Sequence, residues 1–331
     1  MGEHLSVIIP SFNCRYVNKT VEDIFNNATG EIEVIVLLDG YIPDPPIKAH
    51  ENLIVVEKPT QTGMRNCINV GVKISTGKYI MKCDDHCAFS EGFDEALIKG
   101  SQEHQISIPS RYSLDVVNWK VKNYPVSYEY AAYPYVYLDK HRYGIGLYSK
   151  KWEGTKGNNP INKGVEQYYW KENQNKHILI DEIMIFHGSC WFMPKDHFLS
   201  IGGLDEVLFK TLYGEPTELT LKTYLSGGSV AVNKNAWYAH MFKGSDTGDA
   251  PNIRGYKLDL TAMRETERLS STFWMNDCWS GATKPMKWYI DKFWPIPGWP
   301  EDWEIHKIMF EARYLAKELE ICRVKHSLKT I

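Results

Sequence analysis

Apolar residues over the first hundred positions come in short runs that alternate with stretches of helical spacing. Leu5 to Ile9 is a compact run closed by Pro10 and Ser11, with a polar turn behind it. Val21, Ile24 and Phe25 recur at helical intervals within 17–25, and Ile32 to Leu38 is a second run ended by Asp39-Gly40. A third run covers 52–56. Met64, Ile68, Val72 and Ile74 predict a helix within 63–75, stopped by Gly77. Tyr79 to Cys83 predicts a strand that runs straight into Asp84-Asp85-His86. Strands and helices in this order imply an α/β fold, a mostly parallel sheet flanked by helices. Ligands of such sheets bind beyond the carboxyl ends of the strands. Ser11-Phe12-Asn13, Asp39 and Asp84-Asp85-His86 all fall there, so three polar clusters converge on one crevice.

The pattern weakens from 111 to 180 and resumes with an apolar strand expected from Ile183, then Gly188 to Met193 and a helix from about Lys195. Gly202-Gly203-Leu204-Asp205-Glu206 follows. Near the end, Ile305, Ile308, Met309, Ala312, Leu315 and Leu319 lie at helical spacing behind Pro300-Glu301-Asp302, which predicts a helix packed by that stripe. Four segments result: 1–110, 111–182 as a basic and aromatic insertion, 183–250, and 251–331 as a Trp-rich extension ending in a helix.

Composition narrows the classes. A net charge of -3 over 331 residues argues against a wholesale polyanion binder but permits a local basic patch. One exists: residues 140–177 hold eight Lys or Arg against three Glu, a net of +5, interleaved with Tyr143, Tyr148, Trp152, Tyr168, Tyr169 and Trp170. Such a segment offers phosphate contacts and stacking surfaces to a nucleic-acid acceptor, or is a solvated loop. No apolar run approaches the roughly 20 residues of a membrane span. The N-terminus reads as a first strand and not as a signal peptide. The seven cysteines (Cys14, Cys67, Cys83, Cys87, Cys190, Cys278, Cys322) are irregularly spaced, which fits free thiols and a cytoplasmic setting. Cys83 to Cys87 resembles half of a zinc site but lacks a second ligand pair.

The segments SVIIPSFN, EVIVLLDG and GMRNCINVGVKISTGKYIMKCDDH resemble the inverting family-2 glycosyltransferases and their GT-A relatives. That resemblance implies a GT-A fold. It further implies donor contacts from Pro10, Ser11 and Asn13, a base-binding role for Asp39, and a metal-binding Asp motif at the end of the fourth run. The usual Arg before Asn69 is Ile68 here, with Arg65 three residues earlier. The DDHC sequence of Asp84 to Cys87, AHMFKG with His240 and Lys243, GSCWFMPKDHFLSIGGLDE and YGEPTELTLKTYLSGG resemble the catalytic domain of polypeptide N-acetylgalactosaminyltransferases. By that resemblance Asp84, His86 and His240 bind the metal, and Asp85, Trp191, Arg65 and Lys243 join the nucleotide-sugar contacts. Glu215, Glu218 and Asp205 then form the catalytic set, which makes 1–110 a nucleotide-sugar-binding half, 111–182 the acceptor side and 183–250 an acceptor and catalytic half.

The chemistry agrees. A diphosphate leaves readily only when its developing charge is neutralised, and one carboxylate with two imidazoles leaves a cation open positions for phosphate oxygens. Mixed N and O ligands suit Mn²⁺, with Mg²⁺ the alternative. The expected activity is metal-dependent transfer from a nucleotide-sugar, a UDP-sugar by resemblance, to a glycan, protein or nucleic-acid hydroxyl. By the same resemblance, the Asp-x-His motif at Asp84 to His86 and His240 favour retention, with inversion the alternative. In the retaining enzymes the matching Glu residues position sugar and acceptor, whereas inversion would need Glu215 or Glu218 as base. A nucleotidyltransferase would place a Gly-rich, Lys-containing loop after the first strand, which PSFNCRY is not. A non-catalytic sugar-binding module would tolerate loss of metal ligands, and the whole set is present.

Overall fold

The computed structural model describes residues 3–122, 125–139, 142–144, 147, 149–151, 175–209, 214–242, 260–314 and 320. In chain order the elements are β1 (Leu5–Ser11), α1 (Val17–Asn27), β2 (Ile32–Asp39), β3 (Leu53–Lys58), α2 (Met64–Ile74), β4 (Tyr79–Cys83), β5 (Cys87–Phe89), α3 (Phe93–Lys99), β6 (Gln105–Asp115) and β7 (Lys120–Lys122). Next come β8 (Glu129–Ala131), β9 (Val136–Asp139), β10 (Arg142–Gly144), β11 (Ser149–Lys151), β12 (Ile180–Glu182), β13 (Cys190–Pro194), α4 (Lys195–Ser200), α5 (Glu215–Leu225) and β14 (Ser229–His240). Helices α6 (Leu260–Met275), α7 (Met286–Phe293) and α8 (Trp303–Tyr314) close the described chain.

One sheet runs β12-β14-β6-β13-β4-β1-β2-β3, with β5 on β14 and β7 on β6. Its parallel core, β4-β1-β2-β3, is the run legible in sequence; β13 then joins β4 antiparallel, and β6 and β14 lie parallel to each other. The period-2 alternation of β1 explains the layers. Leu5, Val7 and Ile9 pack toward Val17, Val21 and Ile24 of α1, while Ile8 faces Ile68 and Val72 of α2. Each such burial contributes about 1.5–3 kcal/mol. Helix α2 lies so close to β1 that a Cβ on Gly71 would sit 2.5 Å from Ile8 Cγ2, so this crossing requires glycine.

Two expectations are corrected. Ile183 to Phe186 is buried but is not a strand; the strand begins at Cys190. An apolar run reports burial and not ladder pairing. Helix α8 forms, yet Ile305, Ile308 and Met309 of its expected packing stripe are exposed, while Trp303 and Phe310 are buried. The larger aromatic area wins, and Glu311 locks that face by accepting from Tyr135 Oη, from Asn276 Nδ2 at 2.8 Å and from Lys307 Nζ at 3.1 Å. Ala312 is exposed as well, and Leu315 and Leu319 lie outside the described residues. The described part of 111–182 also reaches the core: Tyr128, Ala131, Tyr133, Tyr135 and Leu147 join it with Trp299 and Phe310. The described cysteines are free and buried. No helix among the described residues is long and apolar enough to cross a membrane.

Candidate metal and donor site

Strand β4 ends at Cys83, and the next three residues turn the chain back into β5. The register of β5 on β14 sets His240 opposite Cys87, and Met241 N–H donates to the His86 carbonyl at 3.2 Å. Asp84 N–H donates to the Ser189 carbonyl at 2.9 Å, which fixes the start of the turn against the segment before β13. The outcome is a triangle of ligand atoms. Asp84 Oδ2 lies 3.1 Å from His240 Nε2 and 3.8 Å from His86 Nε2, and the two Nε2 atoms are 3.0 Å apart. A cation bound at about 2.1 Å holds ligands at right angles about 3.0 Å apart, so these spacings fit one ion. Nδ1 of His240 is buried without a partner among the described residues. Nothing there competes for the ring, and its Nε2 edge faces the triangle.

The electrostatics keep Asp84 and His240 unprotonated. Desolvation pushes His240 down to about 4, against the opposing pull of Asp84, so its imidazole is neutral near pH 7. Desolvation would raise the Asp84 carboxyl, but the Lys82 ammonium and His240 hold it well below the usual carboxylate range. Lys82 is fully buried and was not singled out from the sequence. Its Nζ donates to Asp84 Oδ1 at 2.7 Å and to the Gly188 carbonyl at 2.5 Å, and stands 3.5 Å from Glu215 Oε2. A lysine inside the apolar strand YIMKC is the signal that could have found it, since a buried ammonium needs anionic partners. His187, also not singled out, packs its ring 5.7 Å from that of His240. Burial together with Arg111 holds its imidazole well below the ordinary value.

The thiols beside the triangle are different. Burial pushes Cys83 and Cys87 well above the ordinary thiol range, and neither belongs to a group of converging ligands among the described residues. A zinc site of the Cys83–Cys87 kind is absent from that set.

The sequence model of glycosyl transferase family 2 matches residues 6–202. The chain belongs to this family. No curated protein matches it in sequence. Its fold is similar to GalNAc-T7 solved with UDP, GalNAc and Mn²⁺, with a TM-score of 0.63 at 13% identity over 87% of this chain and 56% of that one. It also matches S. aureus TarS, with a TM-score of 0.48 at 15% identity over 86% of this chain and 41% of that one. The family-2 chain therefore has the expected GT-A fold and spans about half the length of these structures.

Within this family-2 chain the other expected site residues separate into two groups. Ser11 and Asp85 join the triangle from behind: Ser11 Oγ donates to Asp85 Oδ2 at 2.6 Å, and Asp85 Oδ1 meets His86 Nδ1 at 2.7 Å. Pro10 pairs with Leu37 at the end of β1, and exposed Asn13 takes a positive φ of 50° in the loop that follows. Glu215 accepts from the buried Trp191 Nε1 and faces Lys82.

The second group has partners within the fold. Asp39 accepts the N–H groups of Thr62 at 2.7 Å and Gly63 at 2.8 Å just ahead of α2. Glu218 is 0% exposed and pairs with Arg65, with Lys222 at 2.8 Å and with the Asp205 N–H at 2.8 Å. Asp205 caps its own turn through the N–H groups of Val207 at 2.9 Å and Leu208 at 2.6 Å. Lys243 and most of 140–177, Trp152 and Trp170 included, lie outside the described residues; Lys150 and Lys151 fall on β11.

Proposed function

We propose that this protein moves a sugar from a nucleotide-sugar to an acceptor hydroxyl, with one divalent cation held by Asp84, His86 and His240. The convergence of those three ligand atoms at the strand ends of a family-2 fold carries the reading. The cation would neutralise charge on the departing diphosphate. The mixed donor set favours Mn²⁺ over Mg²⁺. UDP is the nucleotide proposed, in line with the GalNAc-T7 complex of similar fold. Ser11 and Asn13, at and beyond the end of β1, lie on the donor side of the crevice.

We further propose transfer with retention. Glu218 is sealed in ion pairs, and Glu215 is 2% exposed, accepts from Trp191 and stands beside the Lys82 ammonium. Neither stands as a free base for an acceptor hydroxyl. The bond from the anomeric carbon to phosphate oxygen breaks, the bond to the acceptor oxygen forms on the same face, and the acceptor proton passes to the departing phosphate. Incubation with a panel of sugar nucleotides and Mn²⁺ should release UDP from one of them, with the release abolished by EDTA. Undiminished release in EDTA would overturn the metal mechanism. An NMR coupling constant that shows an inverted anomeric centre in the product would overturn retention.

A further inference from the structure

We propose that Asp85 is a positioning residue of the metal site, fixing the tautomer and tilt of His86, and that Ser11 and Tyr41 fix Asp85 in turn. The inference rests on the metal reading above. The middle residue of the Asp84-Asp85-His86 turn faces away from the ligand triangle. Its Oδ1 lies 2.7 Å from His86 Nδ1, and its Oδ2 accepts from Ser11 Oγ at 2.6 Å. All three side chains are buried, at 4% for Asp85, 3% for His86 and 1% for Ser11.

The proton positions follow from the partners. An ionised carboxylate only accepts, so the His86 proton sits on Nδ1 and the Nε2 lone pair is turned toward Asp84 and His240. Ser11 Oγ spends its single proton on Asp85, so the Tyr41 hydroxyl must donate to Ser11. Burial raises the Tyr41 hydroxyl above the ordinary phenol range, which keeps it a donor. Cys14 anchors the same turn by donating from Sγ to the Asp85 carbonyl at 3.4 Å. A directional chain therefore runs from Tyr41 through Ser11 and Asp85 to the ring of a metal ligand. Partners of this kind raise ligand basicity and hold the ring against rotation; removing one typically weakens metal binding about 10–100-fold. With two donors on its carboxylate and almost no exposed surface, Asp85 is built to serve His86 and not a nucleotide.

The test is direct Mn²⁺ binding, read from the EPR signal of the free ion, on the purified protein without donor. Asp85→Ala should weaken binding about 10–100-fold. Asp85→Asn, which can still accept from Nδ1–H, should recover part of that loss, and Ser11→Ala should show a smaller one. At saturating Mn²⁺ the Asp85→Ala turnover should return toward that of the parent with the donor KM unchanged. Parent-like Mn²⁺ affinity in both Asp85 variants, with a raised donor KM, would overturn the inference and mark Asp85 as a donor contact. Asp84→Ala separates the two readings. If it loses Mn²⁺ while Asp85→Ala keeps it, only the positioning role fails; if both keep it, the metal site fails too. Should Asp85→Ala not fold, Asp85→Asn and Ser11→Ala carry the same comparison.

Discussion

Two clusters of charged side chains stand near one another in this protein and behave in opposite ways. Around Glu218, every contact closes: Arg65 and Lys222 bring cations, the Asp205 backbone brings a donor, and no part of the carboxylate is exposed. Around Asp84 the contacts stay open on one side. Two imidazoles point Nε2 at the same carboxylate oxygen and at each other, and the side chain keeps 28% of its exposure. A closed cluster supplies its own compensation and ties α2, α5 and the turn at Asp205 together. An open one gathers lone pairs without donors to match, which is the arrangement a cation completes. Carboxylates within one fold are thus sorted by whether their hydrogen bonds find an end inside the protein.

Paired substitutions would break this contrast most sharply. Glu218→Ala leaves Arg65 and Lys222 buried without their anion, and should cost about 3–5 kcal/mol of stability in denaturant unfolding. Asp84→Ala leaves buried Lys82 with Glu215 and the Gly188 carbonyl, so it should lower the unfolding midpoint less than Glu218→Ala while abolishing Mn²⁺ binding. Equal loss of stability in both would erase the distinction. Lys82→Met tests the boundary, since Lys82 neutralises Asp84 from behind and reaches Glu215. It should destabilise by a few kcal/mol, on the order of a broken buried pair. Added Mn²⁺ should restore part of that loss, because the ion returns positive charge to Asp84. The same addition should do nothing for Glu218→Ala, and a rescue there would contradict the assignment of that cluster.

The smallest effect concerns pH. Burial lowers both His240 and His197 to about 4. Between the ordinary imidazole value near 6.5 and that folded value, the unfolded chain binds more protons than the folded one. Stability is therefore whole above about pH 6.5 and declines as pH falls toward 4, on the order of 2 kcal/mol for each group by pH 5. Thermal unfolding of the metal-free protein across that range checks the sign. A midpoint that stays level, or rises, would mean that these rings are not desolvated.

How much of this was legible beforehand follows from how local each signal is. The first strands and helices α1 and α2 could be read because their periods of 2 and 3.6 are carried by consecutive residues, and the turn at Asp84 because it ends a strand. Strands β6 and β14 bury Gln105, Ser107, Arg111 and Asn233, and no local pattern says that polar side chains will face inward. His240 was reachable only through family resemblance. Register, and not sequence distance, brings it beside His86. The pairing of Arg65 with Glu218 joins residues 153 positions apart, which no local pattern announces, and Lys82 looks like an exposed lysine until β13 covers it. For α8, aliphatic spacing pointed to the wrong face because two aromatics and one buried carboxylate outweighed it.

The placement of Trp299 has a consequence for how the molecule comes apart. Its Nε1 donates to the Ala131 carbonyl at 2.8 Å, its ring sits against Tyr133, and both belong to the core that also holds Ile8 and Trp191. The C-terminal aromatics are thus not a detachable appendage. Cutting the chain ahead of α6 would leave Tyr133, Tyr135 and Leu147 uncovered and take the far wall away from a core that begins in β1. Melting should therefore be a single cooperative event, with tryptophan fluorescence from the end of the chain changing at the same temperature as the circular dichroism of the sheet.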